Sequence, residues 1–313
     1  MIPRYDDTGH FHCLELHVTA PFAAESLGPE PLGSKRKFWA LLTDETQLWL
    51  FKFARAGSGE HWAEKLGSEL AGLLGLPAAR VELATLDDHH GVLVESIIPH
   101  EWNQRLNQPV RLGELIHGNE VLTGYIEQYD RTKLRGQTEH TYVNIANALK
   151  VAVPDDRYAE VMTRFAGLLV LDALIGNTDR HHENWALLRV SEGSGSIGLA
   201  PSYDHASSLG RELQDERRKE LLASGVDEYV RKGRGAIFGQ SKGRHADNPL
   251  ELVRWAAGGN PAWFRPWLDR AGQMTREQVD DVLARMPDVV MSQTAKDFCR
   301  AFLCYTLNVL KGM

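Results

Sequence analysis

Residues 170–188 read VLDALIGNTDRHHENWALL, and residues 200–210 read APSYDHASSLG. The apolar helical run stops at Gly176-Asn177, and polar residues then crowd the loop from Asn177 to Asn184. A strand, WALLRV, follows; the turn SEGSGS leads into a second strand, IGLAPSYD, that ends at Asp204. A hairpin of this kind places its two base residues side by side. Asn184 stands just before the first strand and Asp204 just after the second, so their side-chain oxygens can converge on one point. Asp179 reaches in from the loop. Two oxygen ligands together with nucleotide phosphates suit a magnesium ion, which keeps waters and takes few protein ligands. A third carboxylate, free of the metal, can orient a hydroxyl and accept its proton. On spacing alone the same loop reads equally well as a polar helix-to-strand connection with a capping aspartate. Zinc at His181 and His182 is disfavoured, because adjacent loop histidines rarely face one point and no HExxH spacing occurs.

Upstream, HFHCLELHV (10–18) alternates as a strand does. FWALL (38–42) and LWLFKF (48–53) flank the polar turn TDETQ, and RVELATL (80–86) and GVLVESII (91–98) flank DDHHG, which predicts two hairpins. Between them HWAEKLGSELAGLL (61–74) carries Trp62, Leu66, Leu70, Leu73 and Leu74 at helical spacing. Ser58 is the expected N-cap, and Gly75 with Pro77 the stop. The first part of the chain thus reads as a sheet of about five strands with one helix. Lys52 is embedded in apolar neighbours, where an ammonium needs an anionic partner. Glu69, between apolar helix positions, is the expected partner, and such a pair aims a lysine at phosphates. The alternative is a lysine that reaches solvent from an edge strand, with Glu69 on the surface.

After Pro99 helical periodicity dominates, from about residue 111 onward, so the boundary between lobes is placed near 98–101. The stretch 211–262 reads as a charged helix plus a surface loop. Residues 276–313 hold two helices, the last with Phe298, Phe302, Tyr305 and Val309 on a core stripe. The polar stretch YDRTKLRGQTEHTYVNI (129–145) reads as a solvated connection, with a substrate groove as the alternative.

Composition narrows the function classes. A chain of 313 residues with 43% hydrophobic and 25% charged residues is globular, and a net charge of -7 disfavours a protein that coats nucleic acid. Three scattered cysteines support neither a disulfide framework nor a zinc ribbon, in keeping with a reducing cytosol. The N-terminus has no charged-then-apolar leader pattern, and the longest apolar run is too short to span a bilayer.

Taken together, DALIGNTDRHHEN followed by APSYD resembles the HipA-like protein kinases. GSKRKFW (33–39), LFKF (50–53), the helix with Glu69 and GVLVESI (91–97) extend the resemblance over most of the chain. The resemblance implies an α+β, two-lobed protein-kinase-like fold. Its N-lobe (1–98) would be a small antiparallel sheet with one helix, and its C-lobe (99–313) larger and mainly helical. It identifies a short form without the family's extra N-terminal subdomain. It implies a cytoplasmic serine/threonine kinase using ATP and Mg2+ on a protein substrate such as a translation component, with an antitoxin protein as a further partner, and no membrane or direct nucleic-acid binding.

By the same resemblance Asp179 matches the catalytic base, Asn184 and Asp204 the magnesium ligands, Lys52 the phosphate-contacting lysine and Glu69 its helix partner. His181 supports the catalytic loop. Glu95, Ser96 and Ile97 form the hinge whose amides meet adenine. Residues 28–37, with Gly33, Ser34 and Lys37, form the phosphate-covering loop, and Ser34 is the expected autophosphorylation site. Asp204 is followed by His-Ala rather than Phe-Gly, so an activation loop of the eukaryotic kind is not expected. Two other classes stay open: a small-molecule or lipid kinase, since metal and base are indifferent to what carries the hydroxyl, and a non-catalytic nucleotide-binding scaffold.

Overall fold

The computed structural model describes residues 4–16, 36–42, 47–105, 108–191, 196–239 and 245–313. Strands β1 (Cys13–Leu16), β2 (Lys37–Leu41), β3 (Leu48–Phe53), β4 (Val81–Leu86) and β5 (His89–Glu95) form one sheet in the order β1-β4-β5-β3-β2. Helix α1 (Glu60–Leu74) packs on β4 and β5. The almost unbroken apolarity of LWLFKF follows from its place inside this sheet. Successive side chains point to opposite faces. Leu48 and Leu50 join the main core with Leu66, Leu70 and Leu74 of α1, while Trp49 and Phe51 fill a second cluster with Leu93 on the other face. Lys52 shares the parity of Leu48 and Leu50, so it emerges on the α1 side of a strand that is not at the sheet edge.

The β4–β5 turn carries positive φ at Asp87 (49°) and Asp88 (61°), the left-handed pair that a two-residue hairpin loop needs. Two expectations are corrected here. The sheet is not wholly antiparallel: β1 runs parallel to β4, a pairing that needs a long crossover, here the chain through β2, β3 and α1. The N-cap is Gly59 rather than Ser58, whose Oγ instead donates to Arg55 O at 2.9 Å.

The described residues of 100–117 are not helical. They form β6 (His100–Asn103) paired with β7 (Gln108–Arg111), then β8 (Gly113–His117). Strands this short leave too few residues for alternation to show. β8 joins β9 (Ala186–Val190) and β10 (Ile197–Leu199) in the order β10-β9-β8, so the hairpin read from residues 185–204 has a third strand beside it.

Short helix α2 (Gly118–Thr123) and α3 (Tyr142–Ala152) lead to α4 (Asp155–Ile175), which is buried from Phe165 to Ile175. Helices α5 (Asp215–Ser224), α6 (Asp227–Lys232), α7 (Pro249–Gly259), α8 (Pro261–Gln273), α9 (Arg276–Ala284) and α10 (Gln293–Lys311) complete the chain, with α4 touching α1, α3, α7, α8 and α10. Each fully buried Leu or Phe along α4 contributes about 1.5–3 kcal/mol relative to exposure, which makes its C-terminal end a rigid platform. It stops at Gly176, at φ +64°, where any side chain would also meet the Phe302 ring at 2.4 Å. On α10, Phe298 and Phe302 are buried and Tyr305 and Val309 pack partly buried against them. Among the described residues no helix is long and apolar enough to cross a membrane.

Candidate active site

The loop that follows α4 is organised around Arg180, a guanidinium only 2% exposed. It grips the buried Asp172 of α4 in fork geometry, Nε to Oδ2 at 2.9 Å and Nη2 to Oδ1 at 2.8 Å. Its Nη1 donates to the carbonyls of Asn184 (2.6 Å) and Tyr203 (2.7 Å). One buried cation therefore fastens both ends of the hairpin to α4. The bidentate pair supplies the geometric specificity, and the two carbonyls use donors that would otherwise be orphaned. Asn177, also buried, donates to Asp172 Oδ1 at 2.9 Å and accepts the Asp179 amide at 3.0 Å. Sequence reading left Arg180 and Asp172 without a role, although Arg180 lies inside the quoted motif; nothing local signals an ion pair eight residues apart across a helix end.

On this frame the polar residues of the loop converge. Asn184 Nδ2 donates to the Asp179 carbonyl at 2.7 Å, and the His181 amide donates to the same carbonyl at 2.8 Å. Asp204 lies directly after Tyr203, at φ +57°, a left-handed conformation that costs a non-glycine residue about 1–3 kcal/mol and persists only where the surroundings enforce it. From the sheet, Lys52 Nζ comes within 3.2 Å of Asp204 Oδ1. A second acidic neighbour is Glu64 Oε1, at 4.0 Å, on a side chain only 1% exposed.

Glu69, the expected partner, is turned away. It pairs with Lys65 at 2.8 Å and with Arg4, in a buried network that also holds Glu82. Its assignment to Lys52 is therefore corrected to Glu64. Lys37, the first residue of β2, stands directly opposite Lys52 in register. Gly33 and Ser34 lie outside the described residues. At the end of β5 the amides of Glu95 and Ser96 donate to Arg80 O and Leu48 O, both at 2.9 Å. Each amide carries one proton, so these two cannot also meet a ligand, and the hinge expectation narrows to Ile97.

The two adjacent histidines diverge. His181 Nδ1 accepts the Glu183 amide at 3.2 Å inside the loop. His182 turns inward, to 1% exposure, and meets the Tyr129 hydroxyl at 2.7 Å. Their rings are 6.2 Å apart and nearly perpendicular. Beyond His182 sits His140, whose Nε2 accepts the Trp185 indole N–H at 3.1 Å and whose Nδ1 meets Ala236 O at 2.9 Å. That arrangement requires a neutral ring protonated at Nδ1. Burial holds the His140 pKa down at about 3, and that of His182 at about 4 with His181 adding to it. The stretch 129–145 is thus partly structural: Tyr129 and His140 brace the loop from behind. His117 Nδ1 and the Tyr203 hydroxyl both reach Glu183 O, at 3.0 and 2.8 Å.

Chemically these residues offer hard oxygen donors from Asn184 and Asp204, an ammonium for an anion, and a second carboxylate, Asp179, for a proton. Asn184 spends its Nδ2 on the loop, which leaves Oδ1, an oxygen donor, as its remaining side-chain group. The donor set fits a small divalent cation that completes its shell with phosphate and water oxygens.

The sequence matches the family model described as "HipA-like C-terminal domain" over residues 31–286. The chain belongs to this HipA-like family. Its fold is shared with a solved Helicobacter pylori structure described as the proinflammatory kinase CtkA, with TM-score 0.74 and 16% identity over 96% of this chain and 98% of that one. It is shared as well with HipA from Shewanella oneidensis, solved with HipB and operator DNA. That match has TM-score 0.57 and 14% identity over 91% of this chain, which spans 65% of that one. Among curated proteins none is significantly similar in sequence. The HipA-like chain accordingly has a kinase-like α+β fold.

Proposed function

We propose that this HipA-like chain is an Mg-ATP-dependent serine/threonine protein kinase, with its cleft between residues 1–98 and 99–313. The observation that carries the reading is the 3.2 Å contact between Lys52 and Asp204, residues 152 apart in sequence. It sits beside the joined Asp179 and Asn184. Lys37 stands opposite Lys52 on the neighbouring strand, so a triphosphate could be met by both ammonium groups. Asn184 and Asp204 would hold the magnesium ion, whose charge offsets that of the phosphates. Asp179 orients the acceptor hydroxyl and takes its proton as the oxygen bonds to the γ-phosphorus and ADP leaves. Glu64 fixes the Lys52 ammonium, and His181 shapes the loop. The Ile97 amide is the hinge donor for adenine.

The toxin–antitoxin complex of HipA with HipB and operator DNA motivates an antitoxin partner for this chain as well; a translation component as substrate and a cytoplasmic setting rest on the family resemblance of the sequence. Autophosphorylation at Ser34 belongs to the same reading. The test is purified protein with γ-labelled ATP and magnesium, beside Asp179→Ala. Wild type is expected to label itself or a lysate protein, and the variant to bind ATP but to transfer at least about a hundredfold slower. A labelled small molecule instead of protein would reassign the acceptor; a chain that binds no ATP overturns the reading.

A further inference from the structure

We propose that Ser207 is a positioning residue for the Asp179 carboxylate, held in place by Arg211, which ties it to the first turn of α1 through Glu60. This rests on the phosphotransfer reading and deepens it. The main chain of Asp179 is well fixed, through Asn177 at its amide and through Asn184 and His181 at its carbonyl. These bonds leave the carboxylate plane undetermined, because the terminal torsion of an aspartate is broad. Among the described residues the hydrogen bond that reaches this carboxylate comes from Ser207, whose Oγ is 3.5 Å from Oδ2. The distance is long for a hydroxyl donor, and contacts at catalytic groups tighten when substrate is in place.

The direction of that hydroxyl is set from its other side. Arg211 Nη2 donates to Ser207 Oγ at 3.3 Å. A serine hydroxyl has one proton and two lone pairs, so with a guanidinium on the oxygen the proton points toward the carboxylate. The serine main chain is pinned to the same loop, since Ser207 O accepts the Thr178 amide at 3.1 Å. The stretch around it has no slack. Positive φ values occur at Asp204, Leu209 and Gly210, Leu209 is fully buried, and its amide donates to Ile175 O at the end of α4.

Arg211 then leaves the loop. Its Nη1 meets the buried Glu60 Oε1 at 2.5 Å, and its carbonyl accepts the Gly59 amide at 2.7 Å. Glu60 opens α1, the helix that also carries Glu64 toward Lys52. A single helix thus sets both the phosphate-facing lysine and, through Arg211 and Ser207, the proton acceptor. Displacing the first turn of α1 would disturb both together.

The experiment compares wild type, Ser207→Ala, Ser207→Thr and Arg211→Met, with γ-labelled ATP, magnesium and dephosphorylated casein, scoring transfer to casein and self-labelling. Ser207→Ala is expected to lower kcat about tenfold, the scale of a misoriented reacting group, with KM for ATP and Tm near wild type. Ser207→Thr, which keeps the hydroxyl, is expected to recover most of the rate, and Arg211→Met to resemble Ser207→Ala in kcat. Transfer by Ser207→Ala within twofold of wild type overturns the inference and leaves the kinase reading standing. Equal losses in Ser207→Ala and Ser207→Thr, with lowered Tm or ATP affinity, also overturn it, since they mark a packing role. A wild-type chain that transfers no phosphate overturns the kinase reading and this inference with it.

Discussion

Glu64 and Glu69 are five residues apart on α1, which turns one about 140° around the helix axis from the other. That rotation decides which acid meets Lys52. Both positions have apolar neighbours in sequence, and only the docking of α1 on β4 and β5 separates them. The consequence is testable with isosteric changes. Glu64→Gln is expected to slow phosphate transfer about tenfold, because Lys52 loses the acid that aims it. Glu69→Gln is expected to leave transfer within about twofold of wild type. It should instead lower unfolding free energy by roughly 1–3 kcal/mol, since the buried Lys65 keeps Glu82 but loses one charged partner. Steady-state kinetics and urea unfolding on both variants read the two effects separately. If Glu69→Gln is the slower enzyme, the assignment of Glu64 is wrong.

Between elements, α1 packs tightly against the loop after β10. A Cβ at Gly67 would lie 2.4 Å from His205 Cβ and 2.9 Å from its Cγ. His205 is fully buried and held at Nε2 by the Ser202 hydroxyl at 2.6 Å, so it cannot swing aside. Gly67→Ala should push α1 away from Asp204, costing about 1–3 kcal/mol by overpacking and slowing transfer. Gly72, on the same helix, meets nothing within 4 Å. Gly72→Ala should therefore be neutral or stabilising by up to about 1 kcal/mol, the ordinary gain of alanine over glycine in a helix. Thermal melts of the pair distinguish crowding from propensity; equal behaviour would refute the contact.

Across the whole molecule several histidines are folded in without charge. Burial lowers the pKa of His140 and His205 to about 3 and that of His61 to about 4, from 6.5. The unfolded chain therefore binds more protons than the folded one below about pH 6.5, and stability is lost as pH falls from there toward pH 3–4. Urea midpoints are expected to decline from pH 7 to pH 5, and His140→Gln, though less stable at pH 7, should show a shallower decline. An equal slope in that variant would mean that other groups dominate the acid response.

What was readable in the chain was local. The apolar runs at 48–53, 80–86 and 91–98 around short polar turns, the helical spacing of 61–74 and the polar break after Ile175 each signal an element within a short window, because turn chemistry and backbone periodicity write themselves directly into side-chain polarity. The spacing of Asp179, Asn184 and Asp204 around a hairpin belonged to the same class of signal. Strands β6 to β8 were missed because four or five residues carry too few alternations. The α1 acid, the Arg180–Asp172 anchor, the Tyr129–His182 brace and the Ser207–Arg211–Glu60 chain were all invisible. The sequence by itself determined the strands and the helix of the first part of the chain and which residue types are gathered in the loop after α4. The tertiary structure alone decided which charge faces which, because partners 5, 28 or 151 residues apart acquire a common dielectric surrounding and a fixed distance only when the core packs.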